Sequence, residues 1–429
     1  MLKKDKILLV VLSLVVTCCF QLTDVKILSI KIAEFFMLAI FPFMISRKLN
    51  KFIIYFFGFF TIYLLTTFAL NLNQVFYLPL EDLYLLKRPY LISLSRYLEL
   101  IACISFALFV YKIFKYFVDE KGYSLAELLK HVLFINLLFS LFFILVFLYY
   151  KINHFTLNVN SFIVHNPADT YDSSYYRLRG FYFEGGPLGL FYAFLFILTT
   201  LLPGKNWIYK TVFFLIIILA SSKAGMLMVI FWLLFSFIVR YRIPSLVKTL
   251  LIPVLAIIFF VSFTFIAANY IELLDSIEST VKDRPDDYAL VMGRVAGIFI
   301  VPNMVLSNPL LGVGLGNYPL VRNNPDYLGI FPYVTLWDEH GLGGLVSLLV
   351  EGGIIFSFLF LVIIYFIYKE LSVKQFNLKS LILLLIIPSL LGVQLHFMYI
   401  WFAVGLILFL IQTQSPVDLQ LLASKHRSD

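Results

Sequence analysis

Two arginines just before a glycine-rich segment are the first residues of this chain that could do chemistry. Arg177 and Arg179 are two positions apart, so an extended backbone would place both side chains on one side. They precede Gly185-Gly-Pro-Leu-Gly189 at the start of an apolar run, where a helix N-terminus would add its positive dipole end. Two guanidinium groups beside a helix N-terminus suit a phosphate. The alternative is an interfacial turn in which the arginines pair with nearby carboxylates such as Glu184.

Further cations lie later in the chain. Lys223 stands between two apolar runs, and an ionisable side chain at membrane depth usually faces a cavity or a partner. The alternative is a lysine that extends from a hairpin tip to external water. Arg294 lies within 290–299, a segment that predicts a short amphipathic helix on the membrane. Arg284 and Arg322 are interpreted as surface charges.

One histidine has neighbours that suit proton transfer. His340 follows Asp338 and Glu339 and precedes a Gly-rich helix start. Nearby carboxylates would support its charged form, and the usual pKa of histidine suits a general base. Asp338 and Glu339 are therefore candidates for supporting residues, and the alternative is a surface histidine in a loop. A metal site is not expected, because no His, Cys and Asp set has ligand spacing.

The apolar runs that separate these residues define the class of protein. Of the 429 residues, 61% are hydrophobic and 14% are charged, whereas soluble domains are about half apolar and about a quarter charged. A helix needs about 20 residues to cross a bilayer. Runs of about this length occur at 7–23, 28–45, 52–70, 97–117, 131–150, 187–202, 207–221, 224–239, 249–268, 346–368, 380–394 and 398–412. The sequence predicts an all-α integral membrane protein with about twelve transmembrane helices.

The topology depends on the run 207–239, which is interrupted only by Ser221-Ser-Lys-Ala-Gly225. A single helix would be about 50 Å long, which is too long for a hydrocarbon core of about 30 Å. Basic residues at both ends favour a hairpin with Lys223 at its tip. The placement of most of the 33 Lys and Arg residues then puts both chain termini in the cytoplasm. The net charge of +8 reflects this topology rather than nucleic-acid binding.

The polar segments are concentrated on the predicted outer side. Residues 151–186 form one external loop, residues 269–345 form the largest one, and residues 71–96 form a third whose role stays open. The largest loop contains a Gly-rich turn at 308–317, which would let the backbone approach a ligand closely. No internal repeat or separate soluble domain is visible, so residues 1–429 are interpreted as one polytopic membrane domain.

Three segments together carry a resemblance to a known family. They are Arg179-Gly-Phe-Tyr-Phe-Glu184, Ser222-Lys-Ala-Gly225, and Asn308-Pro-Leu-Leu-Gly-Val-Gly-Leu-Gly-Asn-Tyr318 followed by His340 and Glu351-Gly-Gly-Ile354. In this order they resemble the O-antigen polymerase (Wzy) and O-antigen ligase superfamily. The resemblance covers about residues 175–370.

The resemblance implies a glycosyltransferase of the GT-C type with a large external loop. Such an enzyme joins undecaprenyl-diphosphate-linked sugars at the outer face of the bacterial inner membrane, without a metal or another cofactor. Arg179 and Arg294 match arginines that hold the donor diphosphate, with Arg177 and Lys223 as further members. His340 matches the residue implicated in activating the acceptor hydroxyl. The implied partners are the lipid-linked glycan donor and acceptor, membrane lipid and a chain-length regulator protein.

Two positions depart from the family pattern. Lys223 stands where the family usually has an arginine, and a lysine cannot bind a phosphate bidentately. Glu184 is followed by Gly185 instead of proline, which leaves the role of Glu184 open. We interpret the chain as a polysaccharide polymerase. The alternatives are a ligase that transfers the glycan to the lipid A core, and a flippase for lipid-linked oligosaccharides. A transporter would show mid-span charges and internal repeats.

Overall fold

A computed structural model describes residues 3–23, 25–27, 30–45, 50–153, 177–182, 185–200, 202, 204, 206–240, 270–374 and 382–412. The first eight α-helices are α1 (Lys3–Gln21), α2 (Ile32–Met44), α3 (Lys51–Asn71), α4 (Leu91–Lys115), α5 (Leu125–Asn153), α6 (Gly185–Thr200), α7 (Trp207–Leu219) and α8 (Lys223–Arg240). The next eight are α9 (Tyr270–Asp283), α10 (Tyr288–Val291), α11 (Gly293–Ser307), α12 (Tyr318–Val321), α13 (Pro325–Leu328), α14 (Gly344–Lys374), α15 (Leu383–Leu390) and α16 (Met398–Gln412). Two-residue strands β1 (Lys26–Ile27) and β2 (Ile30–Lys31) pair antiparallel, and short 3-10 turns occur at Leu80–Asp82 and Leu85–Lys87.

The apolar runs of the sequence form helices, as predicted. In the described part of the chain, four of them are long and apolar enough to cross a membrane: Lys51–Asn71, Leu91–Glu120, Leu125–Tyr149 and Gly344–Leu371. Six further apolar helices are shorter, between 10 and 17 residues. The predicted helical class is confirmed, whereas twelve spans, the GT-C architecture and the cytoplasmic termini stay predictions. The predicted run 249–268 lies outside the described residues.

The core is centred on α4 and α16, which lie against each other. All residues of α16 from Met398 to Leu410 are buried. A Cβ added to Gly405 would lie 2.5 Å from the carbonyl oxygen of Ala107, so glycine permits this close approach of the two helices. Aromatic rings fill the space on the other side, where Phe20 and Phe402 contact edge to face at 5.2 Å. The close packing of these helices provides a rigid framework for the polar residues described below.

The predicted break within 207–239 is confirmed. Helix α7 ends at Leu219 and α8 begins at Lys223, and Ser221 between them has a φ of 51°. This left-handed conformation ends the first helix and reverses the chain. With 13 residues, α7 is about 20 Å long. Lys223 therefore lies at the tip of the turn, as the sequence predicts.

Helix α14 is interrupted in its middle by the Gly-rich turn. Gly353 has a φ of 64° and a ψ of −168°, a backbone conformation that is nearly restricted to glycine. The backbone groups released by the break bond to residues 309–314 instead. These hydrogen bonds join Val313 N–H to Val350 C=O (3.0 Å), Gly314 N–H to Glu351 C=O (2.7 Å), Ile354 N–H to Pro309 C=O (2.8 Å) and Ile355 N–H to Leu310 C=O (3.2 Å). The turn thus satisfies polar groups that could find no partner in lipid.

The role of this break can be tested by giving Gly353 a side chain. A Cβ at position 353 would lie 2.4 Å from the carbonyl oxygen of Leu310, and the backbone conformation alone costs another residue about 1–3 kcal/mol. We expect Gly353→Ala to lower the thermal unfolding midpoint of the detergent-purified protein. Gly58→Ala in α3 is the matched control, because a Cβ there meets nothing within 4 Å. Equal midpoints for the two variants would contradict the assigned role.

Candidate functional site

The N-terminal ends of α6 and α8 lie side by side. The backbone N–H of Leu178 donates to the carbonyl of Leu219 at 2.9 Å, and the Ser222 hydroxyl donates to the carbonyl of Gly186 at 3.0 Å. A Cβ added to Gly189 would lie 2.0 Å from the Cβ of Ser222, so glycine is required for this approach. The two helix starts therefore form one positively polarised surface.

The four cations predicted to hold a diphosphate lie on segments that meet at this surface. Arg177 and Arg179 belong to the segment that bonds to the end of α7, and Lys223 is the first residue of α8. The terminal guanidinium nitrogen of Arg294 lies 3.8 Å from the position of a Cβ on Gly186. Arg179 is half-buried, and the other three cations are exposed. Tertiary folding thus brings together three segments that are far apart in the sequence.

Arg294 also connects this surface to His340. Its Nε donates to the carbonyl of Gly341 at 3.1 Å. On its other side, helix α11 packs against His340 at Gly297, where an added Cβ would lie 2.9 Å from the His340 Cβ. The helix predicted over 290–299 in fact begins at Gly293 and extends to Ser307, with Ile300 on its buried face. Contact with the rest of the protein, rather than a membrane surface alone, orders this helix.

His340 is buried, with 3% of its surface exposed, so the interpretation as a surface histidine is wrong. Its Nδ1 accepts a hydrogen bond from the Leu342 N–H at 3.1 Å, and its Nε2 lies 3.0 Å from the Ser347 hydroxyl. The Ser347 hydroxyl donates to Gln394 Oε1 at 2.7 Å. Because Nδ1 is an acceptor, this network assigns the hydrogen of the neutral ring to Nε2.

Burial decides the charge of His340. It lowers the pKa of His340 to about 4, while Glu339 acts in the opposite direction with a smaller effect. The imidazole is therefore neutral at pH 7. The expectation that carboxylates would favour its charged form fails, because the cost of burying an imidazolium exceeds their attraction.

His340 lies in the wall of a cavity with about 670 Å³ of empty space, including its opening. The cavity is bounded by α3, α4 and α14, by residues 315–319 with the start of α12, and by residues 339–340 and 394–396. Its polar lining consists of Tyr63, Arg96, Glu99, Tyr318, Glu339, His340, Ser347, Glu351, Gln394 and His396. Ionisable residues that face a cavity within apolar helices indicate a functional site.

Arg96 is the centre of the charged lining. Its guanidinium donates to Glu99 Oε2 at 2.9 Å and to the Glu339 carboxylate, and Lys31 Nζ lies 3.5 Å from Glu99. Partial desolvation would raise the pKa of Glu339, whose side chain is 44% exposed, but the guanidinium of Arg96 holds this pKa below its usual range. Glu339 is therefore ionised at neutral pH, and its hydrogen-bonded partner is Arg96 rather than His340.

Glu351 is held by the Gly-rich turn. The backbone N–H groups of Gly316 and Tyr318 lie towards its side chain, and its own carbonyl accepts a hydrogen bond from the Gly314 N–H at 2.7 Å. The turn and the helix break at Gly353 therefore place this carboxylate next to the backbone of the turn. Leu315 and Gly316 of the Gly-rich turn form part of the cavity wall.

The other predicted supporting residues have different positions. Asp338 is buried away from the cavity lining, where Oδ1 accepts from the Gly293 N–H at 2.7 Å and Oδ2 lies 3.1 Å from Arg322 Nη1. Arg322 Nη1 and Asp338 Oδ2 thus form an ion pair, but the angles at these two atoms do not fit a hydrogen bond. Arg322 is fully buried, so its interpretation as a surface charge is wrong, whereas Arg284 is exposed as expected. Glu184 lies outside the described residues.

Sequence reasoning missed part of the cavity. Arg96 was expected in the external loop 71–96 but lies in the second turn of α4, and Glu99 and Glu351 were not assigned a role. Each of these residues is an ionisable group within an apolar helix. This property alone could have marked them as candidate functional residues. Nothing in the sequence around Gln394 indicates a role in the site. Gln394 follows α15 and belongs to the site through its hydrogen bond with Ser347.

No protein-family model matches the chain, and no curated protein matches it. Comparison with known proteins therefore assigns no function to this site.

Proposed function

We propose that this protein is a polysaccharide polymerase that joins undecaprenyl-diphosphate-linked repeat units at the outer face of the bacterial inner membrane. It would be a glycosyltransferase of the GT-C type with an O-antigen or a related glycan as product. The observation that carries the proposal is the cation surface beside a polar cavity. The first suits a diphosphate and the second suits the sugar that receives the glycan.

The cation surface supports binding of the donor. A diphosphate becomes a better leaving group when nearby positive groups neutralise its charge. Arg177, Arg179, Lys223 and Arg294 supply such groups, and the two helix N-termini add backbone N–H groups. The sugar attached to this diphosphate would then point past Gly341 towards His340 and the cavity.

His340 is the proposed base for the acceptor hydroxyl. In the reaction, the acceptor oxygen forms a bond to the anomeric carbon of the donor. The bond from that carbon to the diphosphate breaks, and the lipid diphosphate leaves with the electron pair. The hydroxyl proton passes to His340. This transfer requires the contact between Leu342 N–H and Nδ1 to open, because Nδ1 has the lone pair of the neutral ring.

The proposal predicts the effect of removing one cation. Arg179→Ala is expected to lower donor affinity by roughly 10- to 100-fold, which is the worth of a hydrogen bond to a charged group. The measurement is elongation of lipid-linked repeat units by the purified protein in liposomes without an ion gradient. Arg284→Ala is the matched control, because Arg284 is exposed and lies in the same predicted outer loop as Arg294. Unchanged donor affinity in Arg179→Ala would remove Arg179 from the site.

The same assay distinguishes the polymerase from a flippase, and a gene deletion distinguishes it from a ligase. Elongation without a gradient excludes a flippase, which moves its substrate without forming a glycosidic bond. In cells, loss of a polymerase leaves a lipid A core that bears a single repeat unit, whereas loss of a ligase leaves a core with none. A core without any repeat unit after deletion would replace our proposal with the ligase.

A further inference from the structure

We propose that part of the predicted external loop is inserted in the bilayer, so that Leu306 and Leu310 contact the acyl chains of membrane lipids. The inserted part is the end of α11 and the start of the Gly-rich turn. It enters the bilayer from the side that carries the candidate site. This inference concerns how the protein contacts lipid, and it does not depend on the proposed polymerase activity.

The stretch between Arg294 and Arg322 contains no charged residue. Its 27 residues, 295–321, include neither Asp, Glu, Lys nor Arg, whereas the parts of the loop on either side contain charges of both signs. Helix α11, which forms the first half of this stretch, is one of the shorter apolar helices. Charged side chains are costly at membrane depth. The stretch is therefore the part of the loop that a bilayer can accommodate.

Helix α14 gives the depth of the turn. The Glu370 carboxylate pairs with Lys51, the first residue of α3, and these charges mark one edge of the hydrocarbon core. The 17 helical residues from Ile354 to Glu370 measure about 25 Å, which is less than the core thickness of about 30 Å. The break at Gly353 therefore lies within the hydrocarbon, together with residues 309–310, which bond to Ile354 and Ile355.

Helix α3 gives the same depth independently. The backbone N–H of Leu315 donates to Thr67 Oγ1 at 2.9 Å. Thr67 is 16 positions after Lys51, which corresponds to about 24 Å along the helix. The two helices contact each other below the turn, where the rings of Tyr63 and Phe356 stack at 4.5 Å. Two neighbouring spans thus place the Gly-rich turn inside the hydrocarbon core.

The exposed side chains at this depth are apolar and adjoin an exposed face of α14. Leu306 and Leu310 are 79% and 62% exposed, and Ile354 and Phe358 in the candidate span are 53% and 64% exposed. The carbonyl of Leu310 accepts from the Ile355 N–H at 3.2 Å, so the two surfaces are continuous. A continuous exposed apolar surface indicates contact with a membrane or a protein, and the depth of this one indicates lipid.

The backbone of the inserted segment is compatible with lipid. Non-helical backbone at membrane depth is tolerated only where protein satisfies its polar groups. The backbone N–H and the Nδ2 group of Asn308 both donate to the carbonyl of Met304, at 2.9 and 3.3 Å. Pro309 has no N–H to satisfy, and residues 312–320 are buried. The exposed part of the turn is therefore short.

Fluorescence quenching in liposomes tests the insertion. The full-length variants Leu306→Cys, Leu310→Cys, Phe358→Cys and Tyr288→Cys are labelled with bimane and reconstituted. Because all four side chains are exposed, the substitutions remove few packing contacts and we expect the fold to be retained. Wild-type protein, whose three cysteines are buried or half-buried, gives the labelling background. The quenchers are lipids brominated on the acyl chain and iodide in the water.

We expect brominated lipid to quench bimane at Leu306→Cys and Leu310→Cys at least about half as strongly as at Phe358→Cys, since all three lie within the hydrocarbon core. Phe358 is four positions beyond Ile354, about 6 Å deeper. Bromine near the headgroup should therefore favour quenching at positions 306 and 310, and bromine near the chain end should favour position 358.

Tyr288→Cys is the matched control, because Tyr288 is 59% exposed but follows Asp286 and Asp287. Iodide rather than brominated lipid should quench bimane at this position. The same pattern at Leu306→Cys and Leu310→Cys would place the segment in water and overturn the inference. Weak quenching by both agents would also overturn it, because protein, such as a second copy of this chain, would then cover the segment.

Discussion

His340→Ala is expected to lower the elongation rate by a factor of about 10²–10⁴, the usual contribution of a general base. The imidazole of His340 lies in the cavity wall between the cation surface and Gln394, where an acceptor hydroxyl could reach it. The rate is measured with purified protein and lipid-linked repeat units at saturating donor and acceptor. Normal yield and membrane insertion of the variant show that the loss is not one of folding.

A second variant separates proton transfer from positioning. His340→Gln supplies an amide that can bond to Ser347 but cannot take up a proton at neutral pH. If His340 is the base, His340→Gln is as inactive as His340→Ala. If His340 only orients Ser347 and Gln394, the glutamine variant recovers much of the rate. Recovery of this kind would remove His340 as the base and leave it as a positioning residue.

Arg322→Met is expected to destabilise the protein by about 3–5 kcal/mol, because it leaves the buried carboxylate of Asp338 without its counter-ion. Asp338 also accepts the hydrogen bond of the Gly293 N–H, so the start of α11 depends on the same carboxylate. Arg294 follows Gly293 directly, and we expect its position to be lost as well. The measurement is the thermal unfolding midpoint in detergent.

A double variant tests whether the unpaired charge is the cause. In Arg322→Met/Asp338→Asn the amide oxygen can still accept from Gly293, while the buried negative charge is gone. The double variant should therefore be more stable than Arg322→Met alone. Arg284→Met at an exposed position should change the midpoint little. Equal midpoints for Arg322→Met and Arg284→Met would show that the ion pair contributes nothing measurable.

Local patterns were sufficient for several elements. Helix α16 was predicted at 398–412 and has these bounds, because its run is apolar and contains no proline. The hairpin tip at Lys223 was also predicted, since a single helix over 207–239 would exceed the thickness of a bilayer. In each case the deciding property lies within one stretch of about 20 residues.

Contacts between distant segments could not be predicted in this way. Arg322 looked like a surface charge because its partner, Asp338, is 16 positions away in the sequence and no local pattern joins the two. The break in α14 depends on hydrogen bonds to residues 309–314, and a Gly-Gly pair alone does not say whether a helix bends there. The tautomer of His340 likewise follows from Leu342 and Ser347 together.

The sequence by itself determined the class of this protein and the cations on which the proposed function rests. The length and hydrophobicity of a run determine whether its helix can cross a bilayer. A charged residue within or beside such a run is easy to recognise in the sequence as a candidate for function. The tertiary structure alone decided which groups share a site. It moved Arg96 and Glu351 into one cavity with His340, buried Arg322, and placed Arg294 next to the start of α6. The physical reason is that burial and partner choice depend on neighbours in space, which periodicity along a chain does not specify.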